Sequence, residues 1–238
     1  MSLVTMPPGD RFIASSADIL NEYGIGLEVG YDFEMYRKHL AKARPDHTLG
    51  APFDPLLQDI RPGNAFWIIG RNREGDIIHT QALRMLSLAE MTVADYLAAN
   101  FRAFPPSDVD LDLPRSRYRA GPGARRMTGQ VAYHGEFWIG GADKQFRGQG
   151  VSCVLGRYGF WEAIQHWDPD HIIAFILKPV AFKGLVERAG WMHTDPCALR
   201  WFERDNEIPM ETFMAYMHRE DLSFLLELPL RELFAMAA

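Results

Sequence analysis

Two polar side chains on a predicted strand, Glu136 and His134, are the residues best suited to acid–base chemistry. One residue separates them, so on a regular strand both side chains point to the same face of the sheet. A histidine beside a carboxylate can take a proton from a substrate and pass it on. The open alternatives are a solvated carboxylate for Glu136 and an ordinary hydrogen-bonded histidine for His134.

A glycine-bearing turn follows the same strand and opens a helix near Gly150. Gly148 and Gly150 lack a Cβ atom, so they can adopt unusual φ values and let a ligand approach the backbone. The first amides of a helix have no partners within it, and the helix dipole is positive there. The turn therefore predicts a site for an anion such as a phosphate; the alternative is a tight connection that binds nothing.

Hydrophobic periodicity predicts the elements that position these residues. Predicted strands cover residues 25–30, 65–71, 77–83, 130–139 and 171–177, with one or two more within 191–202. Predicted helices cover residues 32–42, 92–101, 150–167, 182–189, 211–218 and 223–234. A meander in the first half and a strand–helix–strand–helix–strand order in the second half predict a mixed α/β sheet.

Two of the stretches without a predicted element are considered separately. Residues 1–24 give few signals and are treated as an N-terminal extension of a single domain that spans residues 1–238. Residues 104–128 are predicted to be a long, irregular and exposed loop, because arginines alternate there with glycine and proline. Three aspartates near its start could attract a cationic amine. The charged residues are Asp108, Asp110, Asp112, Arg115, Arg117, Arg119, Arg125 and Arg126.

The composition is that of an ordinary globular protein, with 47% hydrophobic and 24% charged residues among 238. A formal charge of −6 gives no pull toward nucleic acid or anionic membranes. Two cysteines, Cys153 and Cys197, make neither a disulfide framework nor a zinc site. No signal peptide is evident, and no apolar run approaches the ~20 residues of a membrane span. We therefore expect a cytoplasmic protein with no nucleic-acid or membrane partner.

Two segments of the second half carry a family resemblance. Residues 147–152 read Arg-Gly-Gln-Gly-Val-Ser at a helix start, and residues 185–191 read Leu-Val-Glu-Arg-Ala-Gly-Trp at a helix end. They resemble the two signatures of the GNAT superfamily of acyl-CoA-dependent N-acetyltransferases. The first signature is Arg/Gln-x-x-Gly-x-Gly/Ala, from which Ser152 is a mild departure. The resemblance covers residues 136–195, and the first half matches in element order alone.

The resemblance implies a GNAT-like fold, an α/β structure with a mixed, mostly antiparallel central sheet flanked by helices. It implies acetyl-CoA or another acyl-CoA as co-substrate, and no metal. Backbone amides of the glycine turn would hold the pyrophosphate, and the pantetheine arm would pair with the preceding strand. The implied cofactor-binding residues are Gly141, Ala142, Asp143, Arg147, Gly148, Gln149, Gly150, Val151 and Ser152.

The resemblance also implies direct transfer of an acyl group, in the first instance acetyl, to the amine of a small or amino-acid-like acceptor. Glu136 would be the base, with His134 beside it, because an alkylammonium has a pKa near ~10. Val186 stands where the family often has a tyrosine that protonates the coenzyme thiolate, so Tyr158 or solvent is the alternative donor. A nucleophilic Cys153 is disfavoured, since buried helix cysteines behave as small hydrophobes.

Other functions remain open at this point. A non-catalytic acyl-CoA-binding or interaction domain would explain Val186. A long-chain N-acyl amino acid synthase-like enzyme is a third reading. The arginines of the 104–128 loop could contact the 3′-phosphate of the coenzyme or an acidic acceptor. A homodimer is an assembly that the resemblance allows.

Overall fold

The computed structural model describes residues 8–88, 90–140, 146 and 148–237. Its strands are β1 (Gly26–Gly30), β2 (Ala65–Arg71), β3 (Ile77–Leu86), β4 (Arg117–Tyr118), β5 (Val131–Ile139), β6 (His171–Leu177), β7 (His193–Trp201) and β8 (Met210–His218). Its helices are α1 (Pro8–Glu22), α2 (Phe33–Ala43), α3 (Val93–Asn100), α4 (Val151–Trp167), α5 (Lys178–Ala181), α6 (Leu185–Ala189), α7 (Arg219–Glu227) and α8 (Leu230–Ala237). Among them no helix combines the length and apolar character needed to cross a membrane.

The eight strands form one sheet in the order β1-β2-β3-β5-β6-β8-β7-β4. Neighbouring strands are antiparallel except β5 and β6, which run parallel. The mixed, mostly antiparallel sheet flanked by helices is therefore confirmed. Parallel neighbours need a crossover connection, and here α4 supplies it between β5 and β6.

The parallel pair is joined along only part of its length. Backbone pairing of β5 with β6 covers Val131–Tyr133 and His171–Ile173, and it stops there. Both strands continue, β5 to Ile139 and β6 to Leu177, without a ladder between them. The sheet is therefore split at its centre, on the side where the C-terminal ends of β5 and β6 lie.

Helices cover both faces of the sheet. On one face α2 and α3 bury Tyr36, Leu40 and Leu97. On the other face α4 buries Phe160 and packs against α6 and α7. Residues 8–22, which carried few sequence signals, form α1, whose Phe12 joins a third apolar cluster with α4 and α8. Burial on both faces explains why the central strands read as continuous apolar runs.

Most predicted elements are confirmed, including the β2–β3 hairpin and the Asp32 cap of α2. The predicted helix over residues 211–218 is wrong, because that segment is β8. Methionine, alanine and glutamate favour helices intrinsically, but β8 lies between β6 and β7 and pairs with both. Tertiary pairing overrides propensity here, and Met214, Ala215 and Met217 are fully buried.

The 104–128 segment is less exposed than predicted. It contains β4, which forms the edge of the sheet against β7, and it buries Ser116 and Met127 completely. The carboxylate of Asp195, only 3% exposed, accepts hydrogen bonds from the amides of Gly123 and Ala124 at 3.2 and 3.0 Å. A buried carboxylate thus fastens the segment to β7.

We expect Asp195→Ala to lower the free energy of unfolding by about 2–4 kcal/mol, because it leaves two buried amides without acceptors. Asp205→Ala, on the exposed turn between β7 and β8, is the control and should change it by less than about 0.5 kcal/mol. Urea denaturation followed by fluorescence measures both. Equal stability of the two variants would contradict the anchoring role of Asp195.

Candidate active site

A β-bulge places Glu136 at the point where the sheet splits. Thr80 pairs with Trp138 and Ala82 with Gly135, so two residues of β5 lie opposite the single residue Gln81. Glu136 has φ = 54°, a left-handed conformation that is uncommon for a residue with a side chain. The Thr80 hydroxyl donates to the Glu136 carbonyl at 2.9 Å, which holds the bulge in place. Strained residues of this kind cluster at active sites.

The Glu136 carboxylate is nearly buried, with 6% of its side chain exposed, and is surrounded by donors. Its Oε1 accepts from the Gly50 amide at 2.9 Å, and its Oε2 lies 2.9 Å from His47 Nε2. Arg44 places a guanidinium nitrogen 3.5 Å from Oε2. A Cβ at Gly50 would come within 2.6 Å of Oε1, so only glycine allows this approach. The segment after α2 is therefore built around Glu136.

His47 links Glu136 to a second carboxylate. Its Nδ1 lies 3.6 Å from Asp108 Oδ2, on the opposite side of the ring from Glu136. Asp108 accepts hydrogen bonds from the amide and the hydroxyl of Thr48, and these bonds lower the pKa of its carboxyl. The group therefore combines two carboxylates, Glu136 and Asp108, with the guanidinium of Arg44 and the imidazole of His47.

His134 lies in an apolar environment on the other face of the sheet. It stacks on Trp191 with ring centroids 5.8 Å apart and is only 3% exposed. Desolvation lowers the pKa of its imidazole to about 3, so the ring is neutral at physiological pH. The Gln81 amide nitrogen donates to the Leu155 carbonyl, so Gln81 Oε1 must accept from His134 Nε2–H at 2.8 Å.

The prediction that Glu136 and His134 share a face is wrong. The bulge turns Glu136 to the α2 side of the sheet, whereas His134 points to the α4 side. The period of two that the prediction used fails because the bulge inserts one residue between Gly135 and Phe137. The histidine beside Glu136 is His47, which lies 89 residues earlier in the chain.

The gap between β5 and β6 is a cavity of about 390 Å³. Arg44, His47 and Glu136 form its polar wall. The rest is mainly apolar, with contributions from the start of the 104–128 segment, β6, α6 and β7: Phe104, Phe175, Ile176, Leu185, Trp191 and Trp201. The side chain of Glu136 is thus one wall of a cleft in an otherwise continuous sheet.

A second cavity, of about 420 Å³, adjoins the first and ends at the glycine turn. The two cavities share Phe137, Val180 and Leu185 in their walls. The second is also lined by Gly148, Gly150, Val151 and Ser152 at the start of α4, and by Lys183 and Arg188. Together the two neighbouring cavities, called the channel below, extend from the start of α4 to the carboxylate of Glu136.

The start of α4 has the features of an anion site. Gly148 and Gly150 are both left-handed, with φ of 76° and 73°. The N-cap is Gly150, and none of the described side chains caps the helix. Successive backbone amides next to left-handed residues can form an anion-binding concavity, and the dipole of a 17-residue helix adds positive potential there. Gln149 lies between the two glycines. Gly141, Ala142, Asp143 and Arg147 lie outside the described residues.

Other candidate side chains do not line the two cavities. Cys153 is 1% exposed, and burial raises the pKa of its thiol although Arg157 lies 3.0 Å from the sulfur. Val186 is buried in the α4–α6 interface, and Tyr158 packs on Trp161 with a pKa raised by burial. Neither Cys153 nor Tyr158 lines either cavity.

Sequence reasoning missed Arg44, His47 and Gly50. They lie in residues 44–50, a polar stretch between predicted elements with no recognisable spacing to Glu136. A group of titratable residues in a segment without predicted structure was the available signal. Lys183 and Arg188 were missed as phosphate partners as well; Lys183 precedes the second family-like segment and Arg188 lies within it, where their charge could have been noted.

No family model matches the sequence, and no curated protein matches it. Structure comparison finds N-acetyltransferases. A spermidine N-acetyltransferase from Vibrio cholerae in complex with CoA and spermine has a TM-score of 0.47 at 9% identity, over 84% of this chain and 98% of that one. NAA60 of Arabidopsis thaliana in complex with acetyl-CoA has 0.47 at 11%, over 82% and 98%. The aminoglycoside acetyltransferase AAC(6')-Ib in complex with coenzyme A and kanamycin has 0.43 at 14%, over 84% and 98%.

The low pKa of His134 predicts a specific loss of stability in acid. An unfolded histidine has a pKa near 6.5, so between about pH 6.5 and 3 the unfolded chain binds more protons, and stability falls as the pH falls. From pH 7 to 5 this contributes about 2 kcal/mol. His134→Gln keeps a donor toward Gln81 but does not titrate, so its loss over this range should be smaller by that amount.

Urea denaturation of both proteins at pH 7 and pH 5 measures this difference. His79, also buried with a pKa lowered to about 3, is unchanged in the variant and should give both proteins the same residual acid sensitivity. Equal losses for wild type and His134→Gln would show that His134 is not held neutral by its surroundings.

Proposed function

We propose that this protein is an N-acyltransferase that transfers an acyl group, in the first instance acetyl, from acyl-CoA to the amine of a small-molecule or amino-acid-like acceptor. The observation that carries the proposal is the channel between β5 and β6, which runs from the uncapped start of α4 to Glu136. The anion site at the start of α4 suits the phosphates of acyl-CoA, and the apolar walls beyond it suit the pantetheine end of the same ligand. The N-acetyltransferase names of the similar structures agree with it.

The phosphate end of the ligand would lie at the glycine turn. Backbone amides of residues 148–152 would hold the pyrophosphate, and the side chains of Lys183 and Arg188 add two positive charges to the same cavity. These two cations replace the 104–128 arginines as the proposed phosphate partners, because β4 sits at the far edge of the sheet. Gly141, Ala142, Asp143 and Arg147 remain proposed contacts on the family resemblance alone.

The pantetheine arm would occupy the gap between the strands. Beyond Tyr133 and Ile173 these strands do not pair with each other, so their inward-facing backbone groups are available to an extended amide-bearing ligand. Phe137, Val180 and Leu185 supply apolar walls along this path. A bound acyl-CoA would supply an activated thioester carbonyl at the end of this path.

Glu136 and His47 are the proposed proton acceptors for the amine. Both line the cavity, and they lie 2.9 Å apart, so a proton accepted by one can be shared with the other. Arg44 and the Gly50 amide fix the carboxylate, which keeps its orientation when a substrate enters. His134 is proposed to shape the opposite wall, since its buried ring stays neutral.

The acceptor is proposed to be cationic in solution. The carboxylate of Glu136 faces the cavity, and that of Asp108 lies behind His47, so two carboxylates near the polar wall would attract an ammonium group before deprotonation. This agrees with the sequence-based expectation that the aspartates near residue 108 attract an amine. For the transferred acyl group, a chain longer than acetyl is the second candidate, favoured by the aromatic lining of Phe104, Phe175 and Trp201. Measuring turnover with a series of acyl-CoA chain lengths distinguishes acetyl from longer acyl groups.

A non-catalytic acyl-CoA-binding domain is the other candidate function. It is favoured by Val186, which cannot donate a proton and is buried in any case. Turnover on a panel of amines would exclude it. Binding of acyl-CoA without turnover on any amine would support it.

Binding should depend on the glycine turn. Gly148 and Gly75 both have left-handed φ, 76° and 85°, and open space where a Cβ would be. Substituting either by valine therefore imposes the same backbone strain, but only Gly148 lines the channel. We expect Gly148→Val to weaken acetyl-CoA binding by roughly 10-fold or more, and Gly75→Val to leave it unchanged.

Isothermal titration calorimetry measures both variants. Equal affinities of Gly148→Val and Gly75→Val would place the phosphates elsewhere. The absence of any binding to wild type at millimolar acetyl-CoA would overturn the proposed function.

Catalysis should depend on Glu136 more than binding does. Glu136→Gln keeps the shape but removes the base, so we expect kcat to fall by roughly 10²–10⁴-fold with little change in the KM of acyl-CoA. Glu28→Gln, on the edge strand β1, is the control and should behave as wild type. Steady-state kinetics of both variants, with an amine that the wild type acylates, measure this difference. An unchanged kcat in Glu136→Gln would show that Glu136 is not the base.

A further inference from the structure

A group of histidines lies away from the channel, at the other end of the sheet. His171 begins β6, His193 begins β7 and His218 ends β8, while Asp221 lies in the first turn of α7. The proposed acyl transfer uses none of these four side chains. Three imidazoles on three neighbouring strands, with a carboxylate on the helix that follows β8, are an unusual concentration of metal-ligand types.

The register of the strands puts the three imidazoles on one face. His171 pairs directly with His218, and direct partners in an antiparallel ladder point the same way. His193 pairs with Tyr216, which shares a face with His218 because the two are two residues apart. Tyr216 stacks on the His193 ring with centroids 5.1 Å apart and supports it from one side.

The ligand atoms are already close together. One atom each from His193, His218 and Asp221 lie within 4.8 Å of one another. His193 Nε2 is 2.9 Å from Asp221 Oδ2, and His171 Nδ1 is 2.9 Å from His218 Nδ1. In a tetrahedral site with bonds of ~2.0–2.1 Å, neighbouring ligand atoms are ~3.3 Å apart, so small side-chain shifts suffice.

We propose that His193, His218 and Asp221 bind one first-row divalent transition metal, with Zn²⁺ as the expected ion. Two imidazoles and one carboxylate suit Zn²⁺, Co²⁺ or Ni²⁺, whereas Mg²⁺ and Ca²⁺ prefer all-oxygen sites. His171 is the neighbour that orients His218 through their ring nitrogens. The sequence analysis did not single out these four residues, because they are spread over 51 positions with no recognisable ligand spacing.

The site would join two strands, β7 and β8, to the helix α7. Asp221 also accepts the His218 amide at 2.8 Å and closes the start of α7, whose Leu222 and Leu225 are buried. His193 follows Trp191 by two residues, and Trp191 lines the cavity between β5 and β6. A bound metal would therefore stabilise α7 against β8 and fix the strand that begins beside the cavity.

The test uses tag-free, chelator-treated full-length protein and the metals alone. Zn²⁺ binding is measured by competition with a chromophoric chelator, and Co²⁺ binding by visible d–d absorption, which reports ligand geometry directly. One variant is His193→Ala; the wild-type His193 side chain is 37% exposed, so its removal leaves no closed cavity. The other is Asp221→Asn, which keeps the shape of the carboxylate. His166→Ala is the control, since it removes a histidine beside Glu162, a similar pair outside the cluster.

We expect one metal per chain and a rise in Tm on Zn²⁺ addition. His193→Ala and Asp221→Asn should each weaken Zn²⁺ binding by roughly 10- to 100-fold or more and alter the Co²⁺ spectrum, while His166→Ala does neither. Absence of metal binding by wild type, or equal binding by all four proteins, would overturn the proposal. Neither outcome depends on acyl-CoA, so the proposed function stands or fails separately.

Discussion

The left-handed bulge at Glu136 is the constraint on which the rest of the site depends. It inserts one residue into β5 and interrupts the ladder with β3 between Gly135 and Trp138, just beyond Tyr133, where pairing with β6 stops. The same residue supplies the carboxylate that faces the gap. The bulge thus turns this carboxylate toward the place where the sheet opens, and the Thr80 hydroxyl that holds the bulge maintains that orientation.

The cost of the bulge is offset by the contacts that Glu136 makes. A non-glycine residue in a strained backbone region costs of order 1–3 kcal/mol, and a buried carboxylate is costly without partners. Arg44, His47 and the Gly50 amide provide those partners, and all three come from the short segment after α2. A segment from the first half of the chain therefore orients the Glu136 side chain of the second half and stabilises its charge.

The sequence predicted the frame well because its signals were local. Apolar runs identified β2, β3, β5 and β6, and the glycines identified the turn before α4. Two kinds of information were missing. The helical composition of residues 211–218 concealed β8, since pairing on both sides decides its structure. The face of Glu136 could not be read from a period of two, since the bulge depends on Gln81 and Thr80 of another strand.

The central claim is that the gap between β5 and β6 receives a coenzyme whose diphosphate rests on the start of α4. A crystal structure with coenzyme A tests it most directly. The account predicts the diphosphate against residues 148–152, the pantetheine between the two strands, and the sulfur facing the Glu136 side of the gap. A coenzyme bound on any other surface, with the gap left empty, would contradict it.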